Sequence, residues 1–317
     1  VKIYRVLFSA IIILLSVNSH ANSNTTIVEQ SGVGNLATAD QSDPTIDNNL
    51  IIQSQTGNNN SAEAIQTVNS SQSWIEQIQT GNSNTVVASQ EETSSTVILI
   101  EQVGENQTAE STQLITTNTV GKIYQEGQLN DGDIFQADVI STTGFLFQSG
   151  QSNDGLVRAA GGESYSGSLM QTGTLNIGVV NQLPGISYTA NVVQNGTGNR
   201  ATSIQTQGES LISEITQMGN DQRVFLLQQF NENSYAQASQ SGSDNISTIR
   251  QEGEFMNINT IQDGTLNEII ANQDGATSSV FAQQSGMDNF MEILQSEISG
   301  NIIANQIGDS NIGMILH

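Results

Sequence analysis

The chain of 317 residues carries 31 acidic side chains against seven Lys and Arg, a net charge of −24, with 5% aromatic residues and no cysteine. So little large apolar surface excludes a pair of ordinary globular domains with thick cores. It leaves disorder, or order built from backbone pairing and stacked polar side chains. The acidic balance repels nucleic acid and anionic membrane surfaces, and the lack of cysteine excludes disulfide staples and thiolate metal sites.

Residues 1–21 read as a secretory signal peptide. Lys2 and Arg5 form the basic start, Val6 to Val17 the apolar run, and Ser19-His20-Ala21 a cleavage site cut after Ala21. About 12 apolar residues are too few to span a bilayer, so export without membrane insertion is expected. Removal leaves Lys122, Arg158, Arg200, Arg223 and Arg250 as the bases, and 31 acids against these five give a mature charge of −26.

Residues 22–317 read as one array. The motif Gln-x-Gly-x-x-Asn occurs thirteen times, with leading glutamines Gln30, Gln55, Gln79, Gln102, Gln125, Gln148, Gln171, Gln194, Gln217, Gln240, Gln262, Gln284 and Gln306. A glycine follows two residues later every time: Gly32, Gly57, Gly81, Gly104, Gly127, Gly150, Gly173, Gly196, Gly219, Gly242, Gly264, Gly286 and Gly308. An asparagine follows five residues on in eleven units, from Asn35 to Asn311, and Gln107 and Gln222 keep an amide in the other two. A second glutamine stands eleven residues after the first, from Gln41 to Gln295, except at Ala159 and His317. This interval is constant, whereas the return interval shortens from 14 residues to 11. Length variation confined to one place predicts a two-strand layer with one fixed turn and one adaptable corner.

Inside each unit apolar or small residues alternate with polar ones. Ile98 and Ile100, or Val280 and Ala282, lie four and two places before the leading glutamine. Ala62 and Ala64, or Met291 and Ile293, lie seven and nine places after it. Period two is the mark of strands with one buried face, and the motif amides continue the inward series. The expected fold is all-β, a β-solenoid of thirteen strand–turn–strand layers of 22–25 residues with amyloid-like cross-β stacking. At about 4.8 Å per layer the stack spans roughly 62 Å. The glycines suit a tight turn, and aligned amides form ladders, each donating to one neighbouring layer and accepting from the other.

The repeat resembles the curlin repeat, Ser-x5-Gln-x-Gly-x-x-Asn-x-Ala-x3-Gln, over residues 24–317. The units at Gln30 (QSGVGNLATADQ), Gln55 (QTGNNNSAEAIQ) and Gln194 (QNGTGNRATSIQ) carry all its fixed positions after the serine. The resemblance implies a subunit of curli, the functional amyloid fibres of bacterial surfaces and biofilm matrices, closer to the major subunit than to the nucleator. It implies a secreted, extracellular protein that passes a dedicated outer-membrane channel, and it names as partners the chain itself, a nucleator subunit and that channel. The chain departs from the family in having more repeats than is common. Only Asn22 to Glu29 separate the cleavage site from the first unit, where the major subunit has a Gly-rich address.

Stacked layers have two open edges that template further pairing. The expectation is that the first layer (Gln30, Gly32, Asn35, Gln41) docks on the last layer (Gln306, Gly308, Asn311) of a neighbour, a heterologous contact that gives filaments. Just after the leading glutamine only Glu126 and Asp263 are acidic, in non-adjacent layers, and other acids are expected to be spread over outward positions. The only histidines are His20 and His317, so no catalytic triad or metal cluster can be assembled from them. No enzymatic activity and no cofactor are expected. Asp131-Gly132-Asp133 and Asp274-Gly275 read as solvated turns, and Trp74 as an outer-face residue. Alternative readings are a nucleator, a surface adhesin, or a monomeric ligand- or ice-binding solenoid, although Thr116, Thr117 and Thr119 form only one local threonine cluster.

Overall fold

A computed structural model describes residues 11–12, 23–296 and 299–317. The expected signal peptide therefore lies, apart from Ile11–Ile12, outside the described residues. All regular structure among them is β-strand. Each repeat contributes a leading strand, such as Trp74–Asn82 or Val120–Gln128, and a return strand, such as Thr85–Glu91 or Asp131–Ile140. Leading strands stack into one parallel sheet and return strands into a second, in the order of the sequence, so the molecule is a β-solenoid of thirteen layers. Two short strands are added. Ile11–Ile12 runs antiparallel against Glu29 and Gln30, and Gly185–Ile186 pairs beside Gly162 and Glu163.

Register follows the repeat. Gln55 lies opposite Gln30 and Gln79, and the same pairing continues to Gln284 opposite Gln306. A slip of one residue would turn every core side chain outward, so the alternation fixes this pairing. Ile98, Ala109, Val192 and Ile293 are buried between the sheets. Ala37 and Ala39 of the first layer are only half-buried, because that layer has a neighbour on one side.

The thin interior is filled by matching large residues to glycines. A Cβ on Gly132 or Gly155 would press on the Leu146 side chain, and one on Gly178 on Leu169. Asp131-Gly132-Asp133 is thus not a turn but part of the strand Asp131–Ile140, with Gly132 buried and both aspartates outward. Its glycine makes room for a leucine in the next layer. Asp274 also lies in a strand, Glu268–Ala276, while Gly275 (φ 131°) does begin a corner.

At the fixed corner the motif glycine has φ between 101° and 135° in every layer. In every layer but the last, a Cβ there would overlap the carbonyl oxygen of the next layer's glycine, so close stacking as well as φ demands glycine. A second left-handed residue follows two places later, and it is often not glycine: Leu129 (φ 56°), Leu175 (φ 57°) and Leu266 (φ 57°) stand there. In the adaptable corner, the 12-residue version turns at pairs such as Ile115 and Asn118, and the 11-residue version at Gly253 and Phe255. The shorter form repeats the fixed corner's pattern, glycine then a left-handed residue two places on. The last layers therefore approach two equivalent halves.

Candidate assembly interface

The leading glutamines form one unbroken ladder. Gln30 Nε2 donates to Gln55 Oε1 at 2.6 Å, Gln125 to Gln148 at 2.8 Å, and Gln284 to Gln306 at 2.9 Å. Each layer donates to the following layer and accepts from the preceding one. The second amide hydrogen crosses the core to a return-strand carbonyl of the preceding layer, as in Gln148 to Asp131 (2.7 Å) and Gln306 to Phe290 (3.0 Å). One buried amide thus ties three layers together, and both its polar atoms are satisfied where the core offers no water.

The asparagines clamp the fixed corners. Asn153 receives the backbone N–H of Asn176 on its oxygen (3.1 Å) and donates to the Gly173 carbonyl (3.0 Å). Gln107 and Gln222 preserve only half of this. Their Nε2 atoms reach the Gly127 and Gly242 carbonyls at 2.8 and 3.1 Å, but the Oε1 atoms are buried without a donor. One extra methylene carries the oxygen past the next layer's N–H. The amide expected at these two positions is present, but only its donor half is used.

The second glutamines form a ladder in two pieces. It runs from Gln41 to Gln136 and resumes from Gln182 to Gln295, with bonds such as Gln113 to Gln136 at 2.9 Å and Gln182 to Gln205 at 3.1 Å. Ala159 interrupts it, and Gln182 Oε1 is left without a donor. At the far end Gln295 Nε2 is buried without an acceptor, in the layer before His317. An additional rung that the sequence reading missed joins Gln53 to Gln77 at 2.8 Å, two places before the leading glutamines. The signal was there: a Gln at an inward apolar position in two consecutive units.

Where Ala159 breaks the ladder, an aromatic pair fills the corner. Tyr165 and Tyr188 are buried and stacked with centroids 5.0 Å apart. The Tyr165 hydroxyl lies 2.9 Å from the Leu183 and Gly185 carbonyls. A Cβ on Gly162 or Gly185 would collide with the hydroxyl of Tyr165 or Tyr188. Burial pushes both phenols above their ordinary range, Tyr165 the further.

The two residue sets assigned to polymerisation lie at opposite ends of the stack. Gln30, Gly32 and Asn35 give the first layer's face and Gln306, Gly308 and Asn311 the last layer's. Among the described residues nothing donates to Gln30 Oε1, whereas Gln41 Oε1 already accepts from the Thr26 hydroxyl at 2.7 Å. Apolar side chains are laid bare at the same ends: Val33 and Leu36 at the first layer, Ile303, Ile307 and Ile312 at the last.

The outer faces differ in charge. Acids of the return strands lie at outward positions, and some of them gather in neighbouring layers. The strand register places Asp131 opposite Asp154 and Asp133 opposite Glu110 on the return sheet. Partial desolvation, then the carboxylates of Asp131, Glu110 and Asp154, push Asp133 up to about 6. Desolvation and Asp154 raise Asp131 as well. Trp74 does lie on the outer face of the leading sheet. Among the described residues, no group of three or more His, Asp or Glu side chains is arranged to hold a metal ion.

No known family model matches the chain. No curated protein matches it either.

Proposed function

We propose that this chain is a structural subunit of an extracellular, curli-like amyloid fibre, which it builds by stacking end to end. One observation carries the reading. The leading-glutamine ladder is directional, so one end offers a free acceptor at Gln30 and the other a donor at Gln306. These complement each other across a junction between two copies. Asn311 next to Gly32 and Asn35 of a neighbour would repeat the clamp made inside the molecule between Asn289 and Asn311. The bared Ile303, Ile307 and Ile312 would then lose their solvent. Such a contact does not close on itself and yields a filament.

By the repeat's resemblance to curlins, the fibre belongs to the bacterial cell surface and serves adhesion and biofilm matrix. A nucleator and an outer-membrane channel are its assembly partners, and the 1–21 segment directs export. Timed electron microscopy of the purified 22–317 chain tests this. Filaments that bind thioflavin and give a meridional reflection near 4.8 Å support it. A chain that stays monomeric at high concentration refutes it.

A further inference from the structure

One row of the return sheet's outer face carries a sign reversal. In five consecutive layers it reads Asp131, Asp154, Ile177, Arg200, Arg223, each residue opposite the next in the parallel register. All four charged residues are exposed, and among the described residues the only ion pair is Arg250–Glu252 at 2.9 Å. Each molecule alone therefore holds two aspartates in adjacent layers and two arginines in adjacent layers, with no counter-ion for either pair. Like charges directly opposite in a sheet repel.

We propose that two copies of this chain pair face to face through their return sheets, about a two-fold axis that runs along the strand Ile177–Gln182. An axis in that direction reverses the order of layers and keeps strand direction. It sets Asp131 over the partner's Arg223 and Asp154 over the partner's Arg200, and each contact occurs twice. Ile177 and Val179, half-buried on the outer face, meet their own copies on the axis. In the same outward row as Val179, Leu156 of the adjacent layer falls over the partner's Thr202, and Phe225 two layers away falls over the partner's Asp133, so the apolar contact is confined to the axis. The contact is isologous, unlike the end-to-end junction, and it stands whether or not that junction forms.

Charge selects a second copy as the occupant. A polyanion attracted to Arg200 and Arg223 would meet Asp131 and Asp154 beside them, and a polycation would meet the reverse. Only a partner with the same row inverted matches both signs. With a net charge far below zero, two copies repel at long range, so attraction must come from this local match, with ionic strength deciding the balance. A parallel, staggered pairing of the same faces satisfies only half of the charges.

The test uses the full 22–317 chain with one introduced cysteine, since the native chain has none. Val179→Cys, on the axis, should be joined into covalent dimers by a short bis-maleimide. Thr172→Cys, in the same layer but exposed on the leading sheet, should give at least ten-fold less. Equal yields from the two would overturn the proposal, as would the staggered arrangement, which moves Val179 away from its copy. In the Val179→Cys background, Arg200→Asp with Arg223→Asp should abolish the dimer. Adding Asp131→Arg and Asp154→Arg should restore it, and failure to restore it in a chain that circular dichroism shows folded also overturns the pairing. If these charge variants do not fold, the comparison of the two cysteines decides alone. Filament length in micrographs is read separately. Fibres without the Val179 cross-link refute only the lateral pair, and cross-linked dimers without fibres refute only the end-to-end reading.

Discussion

Ala159 stands where eleven layers carry a glutamine, and Gln182 in the next layer keeps a buried oxygen that accepts no hydrogen bond. Ala159 packs in one cluster with Tyr165 and Tyr188, so the space of the missing amide is taken by a ring. Ala159→Gln alone should overpack this corner and cost about 1–3 kcal/mol. Ala159→Gln with Tyr165→Thr, the residue found at the same place in the preceding layer (Thr142), should recover that loss by joining Gln136 to Gln182. Urea midpoints of the two variants check this. A stabilised single variant would mean the ring does not fill the site.

Glycine at the two left-handed positions of the fixed corner should not be equally necessary. Gly150→Ala drives a methyl into the Gly173 carbonyl at φ 125° and should cost about 3 kcal/mol or more, from backbone strain and the forced separation of layers. Gly198 would meet only the Asp221 side chain, at a position where other layers hold Leu129 or Ser152 at similar φ. Gly198→Asn should stay within about 1 kcal/mol of the parent, since Asn tolerates the left-handed region. Thermal unfolding of the pair reads the difference directly.

Gln148→Leu removes an acceptor from Gln125 and a donor from Gln171 at once. The Asp131 carbonyl also loses a donor, so three groups lose a hydrogen bond, at about 1–3 kcal/mol for each one left unsatisfied, although Gln125 keeps its bond to the Thr108 carbonyl. The damage should be local, because layers touch only their neighbours. Hydrogen exchange should speed up in the layers around residues 125–171 and remain slow near Gln240. A uniform loss of protection along the chain would contradict the layer-by-layer account.

Stability should fall as pH rises from about 4 to about 6 and then level off, in the part set by the acidic patch. The folded Asp133 carboxyl titrates near 6 and the unfolded one at its ordinary 3.8, so in that window the folded chain holds a proton that the unfolded chain has released. Asp131 acts in the same direction. Asp43, pulled down by the Thr45 hydroxyl and N–H, acts oppositely and only below its ordinary value. Asp133→Asn should raise the melting temperature at pH 7 and flatten the decline between pH 4 and 6. An unchanged slope would remove Asp133 as its source.

Much of this architecture was legible because each repeat repeats its chemistry. Gln, Gly and Asn at fixed offsets have few other uses, and the alternation around Ile98 or Met291 states which face is buried. Other features left no such mark. Leucine at 129, 175 and 266 has no preference for positive φ, and only the turn's fixed path puts it there. Gly132 between two aspartates has the composition of a loop, and its role beneath Leu146 depends on a residue in the next layer. Tyr165 and Gly162 look unrelated until the corner folds the hydroxyl onto the glycine. Only for Gly132 is the cause a contact between layers that no single repeat contains; the other two follow from the path of a corner.

The adaptable corner has one further result. The first full turn of the chain, Gln30 to Gln55, takes 25 residues, while the last, Gln284 to Gln306, takes 22. The rod is therefore tapered, and in any head-to-tail array its narrowest rung abuts the broadest rung of the following subunit. Each seam would carry a small ledge on one edge, recurring at roughly 62 Å for thirteen rungs of about 4.8 Å. That ledge would be a natural ruler, a way to count subunits along such an array.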